Sequence, residues 1–514
     1  MEAMMSVDFQ NCFIMILLCI FSLLCYSFFF KKSKISRRGH DLPPSPPCLP
    51  IVGHLHLLLS TLTHKSLQKI SSKYGPLLHL RFLNVNIILV SSASMAYKIF
   101  KDHDLNISNR GVSATGESLV SGSSGFLCAP YGDYLKFMKK LAVTKLLRPQ
   151  ALEQAQGVRA VELERFYENL LEKAKKKESV EIGVEVMKLT NNMIFRLSMG
   201  RRYSEESGNA ERFMELTRKT FNLTKKIFYA NMLSGTLGKL GISLFRKEIM
   251  GVSREYDHLL ERILVEHEET PEEEDQDKDM MDFLLEVCRD EKAEYKITRN
   301  HIKSFLVEVS NGGTDPSTRA TEWTMAEILN NHKILEKMRQ EIDTVVGNAR
   351  LIQESDLPNL PYLQAVVKEG LRMYPPIPLV FREFQESCEI KSFYVPEETV
   401  LVVNAYGVMR DPDSWEDPDE FKPERFLDYS SRSGQEEQMR EQGMKYLPFG
   451  AGRRGCVGSN LAYILQGTAI GTMVQCFDWR VKGDKINMEE TLEGLILTMA
   501  TPLKCTPVPR LGPF

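Results

Sequence analysis

Several patterns that commonly announce a function are missing. No two cysteines form a C-x-x-C pair, and no histidines form H-E-x-x-H, so neither a zinc site nor a paired-histidine metal helix is written here. The ten cysteines are scattered, three of them in the first apolar segment. That is no disulfide framework, and it fits a reducing compartment. Charge of one sign is not in excess: 65 Lys and Arg against 68 Asp and Glu leave −3, so nothing global points to nucleic acid. No fixed repeat and no internal linker divide the 514 residues. A single large, mostly helical unit is therefore expected.

Long hydrophobic runs are also scarce, but the chain starts with one. Cys12 to Phe30 carries no charge, and Lys31, Lys32, Lys34, Arg37 and Arg38 follow at once. Nineteen apolar residues reach across a bilayer, and the trailing basic cluster puts the rest of the chain on the cytoplasmic side. A cleaved signal peptide would carry its basic residues before the apolar run. Residues 1–30 are thus expected to be a membrane anchor. Residues 31–50 read as a basic, Pro-rich linker, because Leu42-Pro-Pro-Ser-Pro-Pro-Cys-Leu-Pro50 is stiff and extended.

In the body, 77–82 and 85–90 read as strands. Helical periodicity dominates from about 131 to 345, interrupted by an acidic loop from Glu266 to Asp279. Helices run on to about Tyr374, where Pro375-Pro376 stops them. Residues 375–430 read as short strands and turns, a last helix follows Gly458, and the tail is strand-like.

The chemistry lies in Pro448-Phe-Gly-Ala-Gly-Arg-Arg-Gly-Cys-Val-Gly458. Its glycines permit a tight turn that brings backbone amides to a sulfur, and such amides stabilise a thiolate. A thiolate under haem iron favours O–O cleavage. Phe449 can shield the sulfur, and Arg454 suits a carboxylate partner. Gly450-x-Gly452-x-x-Gly455 also spells a dinucleotide fingerprint, which would make this a nicotinamide dehydrogenase. Pro448 and Phe449 stand where that motif needs a strand, and no βαβ unit surrounds it. A structural cysteine in a glycine-rich turn is the plainer alternative. Against it, the pattern F-x-x-G-x-R-x-C-x-G arises by chance on the order of once in ten thousand chains.

That pattern resembles the signature of the cytochrome P-450 superfamily. Lys368-Glu-Gly-Leu-Arg372 matches its E-x-x-R element, and Glu369 and Arg372 share a helix face. With Pro423-Glu-Arg-Phe426, the resemblance implies a buried network of Glu369, Arg372 and Arg425. It also implies a mainly α fold with small β-sheets on one transmembrane helix, with 51–514 as the catalytic domain. The implied cofactor is haem b on Cys456, with Gly450 and Gly458 shaping the loop. Lys139 and Arg382 align with propionate partners, although Leu135 and Lys139 replace the usual Trp and Arg. Lys136, Lys139 and Lys140 could also dock an acidic reductase. Tyr131-Gly-Asp-Tyr134, Leu360-Pro-Tyr-Leu-Gln-Ala-Val-Val-Lys-Glu369 and Arg410-Asp-Pro412 are similar to the plant microsomal branch. Within that branch the chain resembles the crucifer group that includes thalian-diol-desaturase-like and arabidiol-cleaving enzymes.

The implied oxygen-binding helix spans Ile302 to Asn330. Gly312, Gly313, Thr314, Asp315 and Ser317 match the family pattern, but Pro316 replaces a threonine that normally helps deliver protons during oxygen activation. Pro316 removes a backbone donor, so a kink that frees the Gly312 carbonyl is expected. Asp315, Thr314 and Ser317 remain as proton-handling groups. The implied pocket runs along Ala114–Phe126, Ser304–Asp315, Ile377–Phe381 and Leu495–Met499. The expected activity is an O2- and NADPH-dependent oxidation of a lipophilic plant secondary metabolite, a triterpenoid or, alternatively, a flavonoid. Electrons would come through a separate reductase, and the enzyme would sit in the endoplasmic reticulum membrane facing the cytosol. A haem-thiolate isomerase or dehydratase stays open because of Pro316, as does a haem-binding protein without turnover.

Overall fold

The computed structural model describes residues 41–50, 52–58, 62–110, 125–199, 208–237, 245–269, 280–427 and 443–510. The expected anchor over residues 1–30 lies outside these, and no helix among the described residues is long and apolar enough to cross a membrane.

Helices make most of the body. The longest of the core is the central helix Arg299–Asn330. Its first turn is closed by His301, whose Nδ1 accepts the Thr298 backbone N–H at 3.0 Å. Ile302, Phe305, Leu306, Thr314, Trp323, Met325 and Ala326 are all buried on different sides of it, as expected of a helix packed all round. It runs beside the helix Ile182–Met199, where Gly313 approaches Ile194 so closely that a Cβ would sit 2.9 Å from Cδ1. The helix Pro361–Met373 begins with proline at its first turn, where no amide is lost. It ends before Pro375-Pro376, and the stacked rings of Tyr374 and Trp323, 4.2 Å apart, tie that end to the central helix. The helix Ser459–Cys476 is buried on all sides from Leu465 to Cys476, including the polar Gln466 and Gln475.

The strands lie around this helical mass. Leu77–Phe82 and Val85–Val90 pair antiparallel about a tight turn at Leu83 (φ 54°), with the bounds expected from sequence. Val400–Asn404 joins Val85–Val90 in parallel, and Leu379–Glu383 closes the four-stranded sheet antiparallel. The tail folds into Phe477–Val481, Glu490–Glu493, Ile496–Met499 and Lys504–Pro509. The acidic stretch begins later than read from sequence: helix Arg246–Glu269 carries Glu266 to Glu269 in its last turn. Its remainder, 270–279, lies outside the described residues.

Candidate functional site

The cysteine loop is built from backbone, not from regular structure. Gly450 and Gly452 take φ of 66° and 70°, a region that costs other residues about 1–2 kcal/mol. Gly452 is also crowded: a Cβ there would meet Asp104 Oδ1 at 2.1 Å. Asp104 accepts the Arg453 N–H at 3.1 Å and pairs with its guanidinium at 3.3 Å. The Cys456 amide donates to Phe449 O at 2.9 Å, and the Gly458 amide donates to Cys456 Sγ at 3.4 Å. No strand leads into these glycines; a 3₁₀ turn, Gly452–Arg454, sits in the middle, so the dinucleotide-motif alternative has no structural counterpart. Phe449 lies edge-on to Tyr463, 5.3 Å away.

Cys456 keeps accessible surface, yet the protein crowding its sulfur pushes the thiol upward. The Gly458 amide, Arg110 and Lys139 pull the other way. A metal ion at this sulfur would displace the proton, since thiolate is the binding form.

Around the loop stands a cluster of cations. Arg382 is buried and its pKa is lowered to about 9, by burial first and then by Arg110 and Arg454. Arg454 is buried and lowered to about 10, by burial and then Arg110. Lys139 is lowered by burial, Arg454 and Arg110 among others. Arg110 Nε is buried and has no hydrogen-bond partner among the described residues. Grouped guanidiniums with a buried orphan donor call for an anion. A haem carrying two propionates, with iron at Cys456, fits this donor set.

The cations expected near the haem also bond within the protein. Lys139 Nζ donates to the carbonyls of Arg453, at 2.8 Å, and Gly455, at 3.4 Å, so it braces the cysteine loop. Arg454 donates to the carbonyls of Ser108 at 2.6 Å, Leu127 at 3.3 Å and Ala129. Arg382 donates to Phe381 O at 2.8 Å and Ala451 O at 3.5 Å. Arg110 was not singled out from sequence. It stands in Ser108-Asn-Arg-Gly111 with no periodicity or motif to mark it.

Behind the loop, Glu369 and Arg372 are wholly buried and meet at 2.7 Å. Arg425 Nε reaches the other carboxylate oxygen at 3.0 Å. Arg372 also donates to Met409 O and Pro418 O, both at 2.8 Å, and the Lys422 amide donates to Glu369 at 2.8 Å. Every charge in this network has a partner, which is what such burial requires.

On the central helix, Gly312 faces open space: a Cβ would meet none of the described residues within 4 Å. Helical structure continues through Pro316, so the chain is not broken there. Gly312 O still lacks the i+4 donor that proline cannot supply. Thr314 Oγ1 is buried without a partner among the described residues, while Thr314 O accepts the Thr318 hydroxyl at 2.8 Å. Asp315 is raised to about 6 by burial, against the pull of Arg319. Its Oδ1 lies 3.3 Å from Arg319 Nε, which also pairs through its guanidinium with Glu322 at 3.4 Å and Glu493 at 3.1 Å. Ser317 is buried, and its carbonyl accepts the Thr321 hydroxyl at 2.8 Å. Of the expected pocket walls, residues 114–124 lie outside the described residues. Ile377 is 45% exposed, whereas Leu497 is buried.

A sulfur in a glycine loop, a cation cluster suited to a dianion and an open glycine face on the central helix define a haem-thiolate protein. The comparisons with known proteins agree. A family profile described as cytochrome P-450 matches residues 43–506. The chain is 64% identical over 514 residues to cytochrome P-450 705A22 of Arabidopsis thaliana, covering 100% of this chain and 99% of that one. It is 37% identical over 511 residues to 3,9-dihydroxypterocarpan 6A-monooxygenase of Glycine max, covering 97% and 98%. A zebra fish cytochrome P-450 solved with progesterone shares the fold, with a TM-score of 0.73 over 87% of this chain and 99% of that chain, at 22% identity. The chain belongs to the cytochrome P-450 family, in its plant A-type 705A group, and is a monooxygenase of that family.

Proposed function

We propose that this enzyme oxidises a lipophilic plant secondary metabolite, a triterpenoid, with O2 and with electrons from NADPH passed by a separate reductase. The observation that carries the reading is Cys456 Sγ, held by the Gly458 amide beside cations with a buried orphan donor. Cys456 would hold haem b iron. Arg110 and Arg382 would meet its propionates, while Lys139 and Arg454 would hold the backbone around it. When bound, the haem activates O2 for insertion into an unactivated C–H bond.

The chain's own residues do the rest. Glu369, Arg372 and Arg425 fix the segment behind the loop. The open face at Gly312 leaves room for the reacting part of a substrate. Asp315, raised to about 6, can hold or release a proton near neutral pH. Thr314 and Ser317 are the hydroxyls nearest to it in the chain, and the Gly312 carbonyl can bind an ordered water. Together they replace the side chain absent at Pro316. We place the enzyme in the endoplasmic reticulum membrane, with residues 1–30 as anchor, 31–50 as linker and 51–514 as a cytosol-facing catalytic domain. Lys136 and Lys140 lie exposed beside the loop-bracing Lys139 and suit an acidic reductase.

A flavonoid substrate is the second reading, favoured by the 37% identity to the Glycine max pterocarpan monooxygenase. The test is reconstitution with a plant NADPH reductase and a panel of triterpenes and flavonoids. Product from a triterpene that requires both NADPH and O2 supports the first reading. Product from flavonoids alone supports the second, and product without O2 consumption contradicts both.

A further inference from the structure

One half-buried carboxylate is used by none of the roles above. Glu308 lies on the central helix one turn before Gly312, on the same face, which is the face left open at Gly312. Its Oε2 accepts two backbone amides, Phe126 N–H at 2.8 Å and Leu127 N–H at 3.1 Å. A Cβ on residue 125 would lie 2.3 Å from its Oε1, so a larger residue there would push the carboxylate aside. The same stretch is held from its other side. Arg454, in the cysteine loop, donates to the carbonyls of Leu127 and Ala129. Leu127 is thus gripped by its N–H from the central helix and by its C=O from the cysteine loop. Phe126 packs its ring 5.6 Å from Phe305 of that helix.

We propose that Glu308 is a positioning residue whose carboxylate, acting with Arg454, fixes the Gly125–Ala129 segment as a wall of the substrate pocket. This rests on the reading that the open face of the central helix is that pocket. Charged acceptors make the stronger hydrogen bonds, and one carboxylate oxygen serving two amides fixes direction as well as distance. The groups that surround it electrostatically are Arg110, Cys128 on the segment itself, and Tyr134 in the next helix. Burial raises Glu308 to about 7, against the two amides and Arg110. Both forms of the carboxyl are therefore accessible near neutrality, and both can accept from an amide.

Two measurements on the full chain test this. Amide hydrogen exchange reports on residues 126 and 127 whether or not haem is bound. Spectral titration with clotrimazole, a bulky azole, is compared with imidazole, too small to span the pocket. Glu308→Ala and Gly125→Ala should each speed exchange at those amides about tenfold or more, the loss expected for hydrogen bonds to a charged group. Both should weaken clotrimazole by about tenfold and leave imidazole within twofold. Glu308→Gln, which keeps a carbonyl acceptor, should stay within about threefold of wild type in both assays. Wild-type exchange rates in Glu308→Ala would overturn the proposal, as would equal weakening of both azoles. Absence of azole spectra from wild-type protein would defeat the haem reading instead, and the exchange comparison would still decide the role of Glu308.

Discussion

The cysteine loop and the central helix both hold the segment around Leu127, and they are specified in different ways. The loop has almost no regular hydrogen bonding, and its shape comes from backbone angles at Gly450 and Gly452 and from distant side chains such as Asp104 and Lys139. The helix is continuous from Arg299 to Asn330, interrupted only by the amide missing at Pro316, and its chemistry comes from the side chains it carries: Glu308, Thr314 and Asp315. A loop of this kind tolerates little substitution, because each residue fixes geometry. A helix tolerates more, because its frame stands without any one side chain. Substitutions in the loop and its support should therefore cost structure, whereas those on the helix should shift pH dependence and coupling.

The largest effect is expected behind the loop. Glu369→Ala leaves Arg372 and Arg425 without their carboxylate and should destabilise the protein by about 3–5 kcal/mol, read as lost soluble yield and a lowered Tm. Retention of wild-type Tm would show that the three-way network is dispensable. Next is Gly452→Ala, which combines a left-handed backbone angle with a collision at Asp104. It should cost about 2–4 kcal/mol and lower haem content, measured by the pyridine haemochrome. Ala at Gly312, which meets none of the described residues, is the control that should retain haem.

On the helix, Asp315→Asn should act through pH. The folded carboxyl titrates near 6 and the unfolded one near 3.9, so the folded state holds its proton longer. Its burial is harmless below about pH 4 and becomes costly as pH rises through about 6. The variant should match wild type near pH 4 and exceed it by about 3 kcal/mol above pH 6, in denaturant titrations at both values. A difference independent of pH would mean that the loss of the Arg319 pair dominates. Pro316→Thr should have the smallest structural effect, a gain of about 1–2 kcal/mol from restoring the amide to Gly312 O. It should also raise product formed per NADPH consumed. No change in stability or coupling would make position 316 a tolerated substitution.

This contrast also explains what the sequence made legible. The loop was readable because spacing alone encodes it: glycines, arginine and cysteine lie within eleven residues. The Glu369–Arg372 pair was readable from i,i+3 spacing only together with the family resemblance that implied its burial, and the strands at 77–82 and 85–90 from their strand-forming apolar runs. Arg110 and Glu308 were not. Each matters through contacts that only the fold creates, Arg110 with Arg382 and Arg454, Glu308 with amides some 180 positions away. No local period records such contacts. Lys139 was legible as a cation near the site, but its partners, the carbonyls of Arg453 and Gly455, depend on how the loop turns.

The most direct test is the absorption spectrum of the reduced, CO-bound protein. Wild type and Cys476→Ala, whose thiol is buried in the helix Ser459–Cys476, should both show the band of a thiolate-ligated haem. Cys456→Ala should lose it while keeping its circular dichroism. An unchanged thiolate-type band in Cys456→Ala would contradict the account.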